Sequence, residues 1–440
     1  MRSVQRRKIP VAAIQTPAHD RSAFASAWPR ILASVEAAGA RGARLIVLPE
    51  ATVPGYVLGT EAVAEELLAA AARDLGALAR RHGATIVYGT AKILDGATYN
   101  AAVAIGPDGR EIGFAAKQFL WHFDRLWFAP GTALQPVETP VGKLGLLVCA
   151  DGRIPSIAAT LVDRGAEALV MPTAWVTSGR DPQALENLQA DLMVSVRARE
   201  NGVPFVAANK WGVELGSVAY CGKSMLVDAG GRTIARAAQD RDEIVFGEVE
   251  IGASDVTRAP DDDPGAEGAR PTPPDRARIA FTSAVDPHET ETLRGLARQA
   301  DASGPFGRAE LASGGIFEVG GVRIAAIVPE AFWSPRGLVA ARLGGIDAFA
   351  CIPGGDAAWH VPYARTRAAE LRAYVIVFSD ELRAFAVDPD GAVVAGTFDD
   401  YRMATFAYER ARSAATDVAP STNVLKGTRT AEAIRRRGVP

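Results

Sequence analysis

Cysteine is scarce: among 440 residues there are only Cys149, Cys221 and Cys351. They lie far apart and form no CxxC pair, which excludes a disulfide framework or a cysteine metal knuckle and fits a reducing cytoplasm. No apolar run reaches the roughly 18 residues of a membrane span. The basic start, Met1 to Lys8, is not followed by a hydrophobic stretch and cleavage site, so no signal peptide is expected. Excess charge is also lacking. Forty-eight basic residues against 51 acidic leave a net charge of -3, which gives no global attraction to nucleic acid or an anionic membrane. Nor is there any short-period repeat.

What is present is an alternation of strand-like and helix-like stretches. Ile9–Gln15, Arg44–Pro49 and Thr85–Gly89 have the length and composition of buried strands. Ala23–Arg41 and Glu61–His82 read as the helices between them. Tyr99–Ile105 and Glu111–Lys117 flank Pro107-Asp108-Gly109, which predicts a hairpin. Lys143–Cys149, Pro155–Arg164, Ala168–Pro172, Leu185–Asn201 and Phe205–Asn209 continue as strand, helix, strand, helix and strand. Met225–Ala235 is a second hairpin, turning at Gly230-Gly231. The pattern predicts α/β architecture, with helices packed outside sheet.

At 440 residues one core is too few. Residues 253–276 hold Asp261-Asp262-Asp263 and four prolines with almost nothing to bury, and read as a linker. Beyond it the chain repeats itself. VGKLGLLVCADGRIPSIAATLVDRGAEALVMP from Val141 resembles GGVRIAAIVPEAFWSPRGLVAARLGGIDAFACIP from Gly320. LVDAGGRTIAR from Leu226 resembles AVDPDGAVVAG from Ala386. In this register Pro329 takes the place of Cys149, so residues 277–415 are expected to form a smaller unit without a nucleophile. Residues 416–440, ending in a run of arginines, read as a solvated basic tail.

Three strand ends concentrate the chemistry. VLPE delivers Glu50, GFAAK delivers Lys117 and LLVCADG delivers Cys149; α/β sheets usually present their sites at such ends. A thiol near its ordinary pKa is only a few per cent ionised at neutral pH. A carboxylate at Glu50 would take its proton. An ammonium at Lys117 would favour the anion and then hold an oxyanion, with the Ala150 N–H as a second donor.

These residues sit in a wider pattern. Pro49-Glu50 is followed by Gly55-Tyr56, and Tyr99-Asn100 precedes the Pro107–Gly109 turn. Phe128, Pro130 and Gly131 follow the lysine strand. C-x-D-x-R-x-P runs from Cys149 to Pro155, and RGA, MPTAW, RAREN, AANKWG and GKSMLVDAGG come later. In order and spacing they resemble the nitrilase, or carbon–nitrogen hydrolase, superfamily over residues 8–252. The resemblance implies an α-β-β-α sandwich, a Glu50–Lys117–Cys149 triad, a thioester acyl-enzyme, and no metal or organic cofactor. It also implies sheets that meet across a subunit interface, so a homo-oligomer is expected, or an internal pseudo-dimer made with the degenerate second unit. Members often carry a second glutamate six residues before the Pro of FxPG; Asp124 stands there, one methylene shorter.

The run Ala150-Asp151-Gly152-Arg153 is similar to amidase and carbamoylase members, whereas nitrile-cleaving members more often place Trp-Glu after the cysteine. The expected partner is therefore a small amide or N-carbamoyl substrate. A nitrilase or acyl transferase using the same triad, and a catalytically idle scaffold, are the alternatives. Arg153 either pairs with a substrate carboxylate or forms an internal ion pair with an acid such as Asp151. Tyr56, Trp121 and Trp175 are expected in the substrate pocket, and His122, next to Trp121, is a candidate to line it.

Overall fold

The apolar runs near the start of the chain lie side by side in one sheet. A computed structural model describes residues 6–177, 187–256, 272–284, 287–312, 314–334, 337–397 and 402–436. It divides into two units, Met1–Val256 with Ala419–Thr422 and Gly427–Pro440, and Thr257–Val418 with Asn423–Lys426.

In the first unit Arg7–Pro17 pairs in parallel with Leu45–Val47, which pairs in parallel with Thr85–Leu94. Ala97–Ile105 and Glu111–Ala116 extend this sheet on one side; Lys210–Glu214 and Val218–Cys221 extend it on the other, and Glu243–Ile251 runs antiparallel to Arg7–Pro17. Side chains alternate between faces. Ala12, Ile14, Ile46, Leu48, Ile86 and Tyr88 pack against Trp28, Ile31 and Val35 of helix Phe24–Ala40 and Leu75 and Ala79 of helix Glu65–His82. That second helix carries Glu65 and Glu66 in its first turn and Arg80, Arg81 and His82 in its last, the charge order that suits a helix dipole.

The second sheet of this unit runs Val137–Thr139, Gly142–Leu146, Ala168–Pro172, Phe205–Ala208, Met225–Val227 and Thr233–Arg236. Its strands contact the inner face of the first sheet, and helices Pro155–Asp163 and Val194–Asn201 accompany it. The α-β-β-α sandwich is therefore present.

The second unit has a three-stranded sheet, Ser303–Phe306, Arg276–Thr282 and Met403–Glu409, and a six-stranded sheet of Gly315–Val319, Val322–Ile327, Ala348–Cys351, Tyr374–Phe378, Ala384–Val387 and Val393–Gly396. The six-stranded sheet repeats the pairing senses of the one just described: antiparallel, parallel, parallel, antiparallel, antiparallel. The register shift at Leu226/Val227 recurs at Ala386/Val387. Arg197 donates to the carbonyls of Gly152 and Arg153 and pairs with Glu200; Arg367 donates to those of Phe332 and Trp333 and pairs with Glu370.

Most of the expected linker, residues 257–271 of 253–276, lies outside the described residues, as do the first two residues of the helix expected from Leu185. The basic tail is corrected. Within 416–440 a helix spans Val424–Arg436, with Thr428 and Ala431 buried. Apolar residues recur on one side of it, a spacing hidden by its high content of arginine. Among the described residues no helix is long and apolar enough to cross a membrane.

Candidate active site

Glu50 follows the buried strand Leu45–Val47. The segment Pro49–Ala51 then crosses directly over Gly89: a Cβ on Gly89 would come 2.4 Å from the Glu50 Cα, so only glycine permits the crossing. Lys117 follows strand Glu111–Ala116 and is clamped by its own backbone, its N–H donating to Asn100 O and its carbonyl accepting from Gly131 N–H, both at 2.8 Å. Cys149 lies beyond the end of Gly142–Leu146 and opens a short turn, Cys149–Arg153, before helix Pro155–Asp163. The strand is thus shorter than the sequence reading, and the thiol sits on an elbow. The Cys149 φ is +46°, a left-handed conformation that costs a non-glycine residue about 1–2 kcal/mol.

The charged groups converge. Lys117 Nζ is 2.7 Å from Glu50 Oε1 and 2.7 Å from Asp124 Oδ2, with all three side chains at 0% exposure. Asn100 Nδ2 also donates to Glu50 Oε1, at 2.7 Å. Asp124 accepts from the Tyr56 hydroxyl at 2.8 Å and from the Trp121 N–H at 2.8 Å. Glu50 Oε2 is buried and has no partner among the described residues. Burial alone would lower the Lys117 pKa, but Asp124 and Glu50 outweigh it and hold the ammonium well above its usual range. Burial, reinforced by the Glu50 charge, pushes the Cys149 thiol up to about 12; Lys117, the Thr173 hydroxyl and the Ala174 N–H act in the opposite direction. The balance favours the thiol form of Cys149, and the second oxygen of Glu50 has no partner among the described residues.

Asp151 ties the lysine and cysteine segments together. Its Oδ1 accepts from the N–H groups of Gln118 and Phe119, and its Oδ2 from Val148 N–H. Burial raises its pKa to about 6 against the pull of those donors. Arg153 instead stands 5.0 Å from the Trp121 ring centroid and donates from Nε to Gln189 Oε1 at 3.2 Å.

The cleft above the sulfur is small, about 20 Å³, room for one or two water-sized groups. Tyr56, Trp121, Ala150, Arg153 and Trp175 line it with Cys149, as do Ala174, Val176, Asn187 and Gln189. Trp175 Nε1 is buried there without a partner among the described residues. His122 is not part of this lining; its N–H donates to Thr422 Oγ1. Cys221 and Cys351 are buried at 0% exposure, and burial raises both thiols.

Asn100, Thr173, Asn187 and Gln189 were not among the residues expected at the site. Asn100 is visible in the sequence only as part of the YN marker. Gln189 has no local signal, since its placement depends on the fold bringing a distant helix turn against Cys149. A second buried network supports the wall. Glu214 accepts from the N–H groups of Tyr56 and Val57 and from the Tyr220 hydroxyl, and pairs with Lys210.

The sequence and fold are similar to those of known proteins. The chain is 34% identical over 212 residues to a hydrolase from Pseudomonas protegens encoded in the pqqF 5' region, covering 47% of this chain and 72% of that protein. It is 31% identical over 199 residues to an (R)-stereoselective amidase from Pseudomonas sp, covering 44% and 69%. An amidase structure from Nesterenkonia sp. superposes with a TM-score of 0.50 at 25% identity, over 56% of this chain and 93% of that one. The profile of the Carbon-nitrogen hydrolase family matches residues 10–259, more than half of the sequence and the whole sandwich that carries Glu50, Lys117 and Cys149; the chain belongs to that family.

Proposed function

We propose that this protein hydrolyses the carbon–nitrogen bond of a small linear amide or N-carbamoyl compound, with Cys149 as nucleophile, Glu50 as general base and Lys117 as electrostatic partner. The observation that carries this reading is the placement of Glu50: one oxygen is tied to Lys117 while the other is buried without a partner among the described residues, in a site where burial favours the thiol form of Cys149.

Glu50 takes the Cys149 proton as sulfur attacks the carbonyl carbon. The Lys117 ammonium and the Ala150 N–H hold the resulting oxyanion. Glu50 passes the proton to the departing nitrogen, the C–N bond breaks, and a thioester remains. Water then gives a proton to Glu50 while its oxygen attacks the thioester. The C–S bond breaks, and the returning proton restores the thiol. Asp124 acts through Lys117, keeping it charged and aimed.

The finer substrate reading rests on the wall. Arg153 offers a planar fork and Trp175 an indole N–H without an acceptor among the described residues, which suits an acyl chain ending in a carboxylate. Bulk is disfavoured by the small cleft. Three free cysteines suit a reducing compartment, and the cytoplasm is the proposed location. The second unit is read as a degenerate copy of the second half of the first. At the position of Cys149 it carries Pro329, and Phe332 and Trp333 occupy the positions of Gly152 and Arg153.

The test is ammonia release from a panel of short amides, ω-amido acids and N-carbamoyl amino acids, with matched nitriles alongside. Release from amides by the wild type and none by Cys149→Ala is expected, together with iodoacetamide labelling at Cys149 and not at Cys221. Acid formation from nitriles alone would replace amide hydrolysis with nitrile hydrolysis. An inert, unlabelled Cys149 would leave the idle scaffold as the better reading.

A further inference from the structure

Gln189 is 3% exposed and spans the space between the nucleophile and the pocket cation. Its Nε2 donates to the Cys149 carbonyl at 2.8 Å, and its Oε1 accepts from Arg153 Nε at 3.2 Å. A carbonyl oxygen only accepts and a guanidinium only donates, so this is the one amide orientation that satisfies both neighbours. The fit is close, since a Cβ on Gly152 would come 3.0 Å from Gln189 Nε2. The helix turn that bears Gln189 is itself anchored. Asn187 Oδ1 accepts from the Gln189 and Ala190 N–H groups, and Asn187 N–H donates to Asp191. Asp191 in turn is held by Lys223 and Arg236.

The carbonyl that Gln189 grips belongs to the same peptide unit as the Ala150 N–H. In a planar peptide, drawing electron density toward the oxygen makes the N–H a better donor. We propose that Gln189 is a positioning residue that relays the charge of Arg153 through the 149–150 peptide, strengthening the Ala150 N–H as an oxyanion donor and holding Cys149 in its left-handed conformation. This deepens the reading of Ala150 given above and rests on it. The sequence of contacts is guanidinium, side-chain amide, backbone peptide, oxyanion, and each member polarises the next. No bond is made or broken in the relay.

Two measurements test it. Cys149–Ala150 is the only Cys-Ala dipeptide in the chain, so the full-length protein carrying carbonyl-13C cysteine and 15N alanine gives a single correlation for that peptide. Its nitrogen resonance is expected to move upfield in Gln189→Met and, less far, in Arg153→Met. The second measurement is steady-state hydrolysis of propionamide, which has no carboxylate for Arg153 to bind. Gln189→Met and Gln189→Glu should lower kcat about tenfold while KM changes less than about twofold, because only the transition state carries the oxyanion. Gln189→Glu keeps the contact to Arg153 but sets a carboxylate oxygen against the Cys149 carbonyl, so it should lose at least as much as Gln189→Met, whereas a merely structural role predicts that KM and stability move with kcat and that the Arg153→Met resonance stays in place. Arg153→Met should lower kcat less, and should add nothing in the Gln189→Met background. An unmoved resonance with unchanged kcat would overturn the relay while leaving Cys149 as nucleophile. A Cys149→Ala enzyme that still cleaves propionamide would overturn the reading of the site and the relay with it.

Discussion

The Asp124 carboxylate meets the Lys117 ammonium at 2.7 Å, and neither side chain is exposed. Asp124 reaches the lysine despite its short side chain because the turn His122–Leu126 brings its backbone inward, with the Trp121 N–H and the Tyr56 hydroxyl holding both oxygens. Asp124→Asn should leave the buried ammonium with Glu50 as its remaining carboxylate partner. Loss of one member of a buried charge cluster typically costs about 3–5 kcal/mol. The expected result is a fall in kcat of at least about a hundredfold and a lower thermal midpoint, read by ammonia release and calorimetry. Asp124→Glu should retain more activity than Asp124→Asn, since it keeps the charge; equal loss in the two variants would show that charge is not what matters.

Asp151 gives a pH prediction. Its folded pKa of about 6 lies above the ordinary 3.8, so its neutral form is the one the fold prefers. Its contribution to stability is fully present below about pH 4 and is lost as pH rises through 6. The wild type should therefore lose about 3 kcal/mol relative to Asp151→Asn across that window. Denaturant titrations at pH 4 and pH 7 read the difference directly. Near pH 7 the variant should still be the poorer enzyme, because the substituted amide cannot accept from all three N–H groups that Asp151 joins.

The C-terminal segment predicts a long-range effect on the site. A Cβ on Gly427 would come 2.4 Å from the Phe119 ring, and Phe119 N–H is one of the donors to Asp151. Gly427→Val should lower the thermal midpoint by several degrees and reduce kcat, with no such loss in Gly295→Ala, whose surroundings are open. Unchanged kinetics in Gly427→Val would mean that the segment only covers surface.

The two buried arginine pairs separate folding from catalysis. Arg197→Met and Arg367→Met should each destabilise by about 3–5 kcal/mol. Arg197 holds the carbonyls of Gly152 and Arg153 in the turn that Cys149 opens, so its loss should also change kcat at temperatures where the protein remains folded. Arg367→Met should leave kcat alone under the same conditions.

Much of this was legible in the sequence where chemistry and local pattern coincide. Glu50, Lys117 and Cys149 each close an apolar strand, and their convergence follows from the sheet order. Cys149 was read as a strand residue because its left-handed backbone leaves no trace in residue type. The Lys210–Glu214 and Val218–Cys221 strands escaped notice because polar residues and glycines dilute their alternation; one buries Lys210 and Glu214 as a pair. Gln189 was illegible for a different reason: its partners are a backbone carbonyl 40 positions away and a side chain on another element. The helix Val424–Arg436 reads as a tail in the sequence because its few apolar residues are small or widely spaced and it ends among arginines. Its buried side faces Phe119 and Ile154, and such a partner cannot be read from local spacing.

The unit that holds Glu50, Lys117 and Cys149 is discontinuous along the polymer, interrupted after Val256, resumed at Ala419–Thr422 and again at Gly427. Thr422 then accepts from His122 N–H, and Ser421 from Arg125, on the turn that presents Asp124. During synthesis the ribosome therefore makes Cys149 long before it makes the residues that fasten the turn bearing Asp124. An emerging chain that has just released residue 256 holds Glu50, Lys117 and Cys149 yet lacks that clasp, which forms only after residues 257–418 have been made.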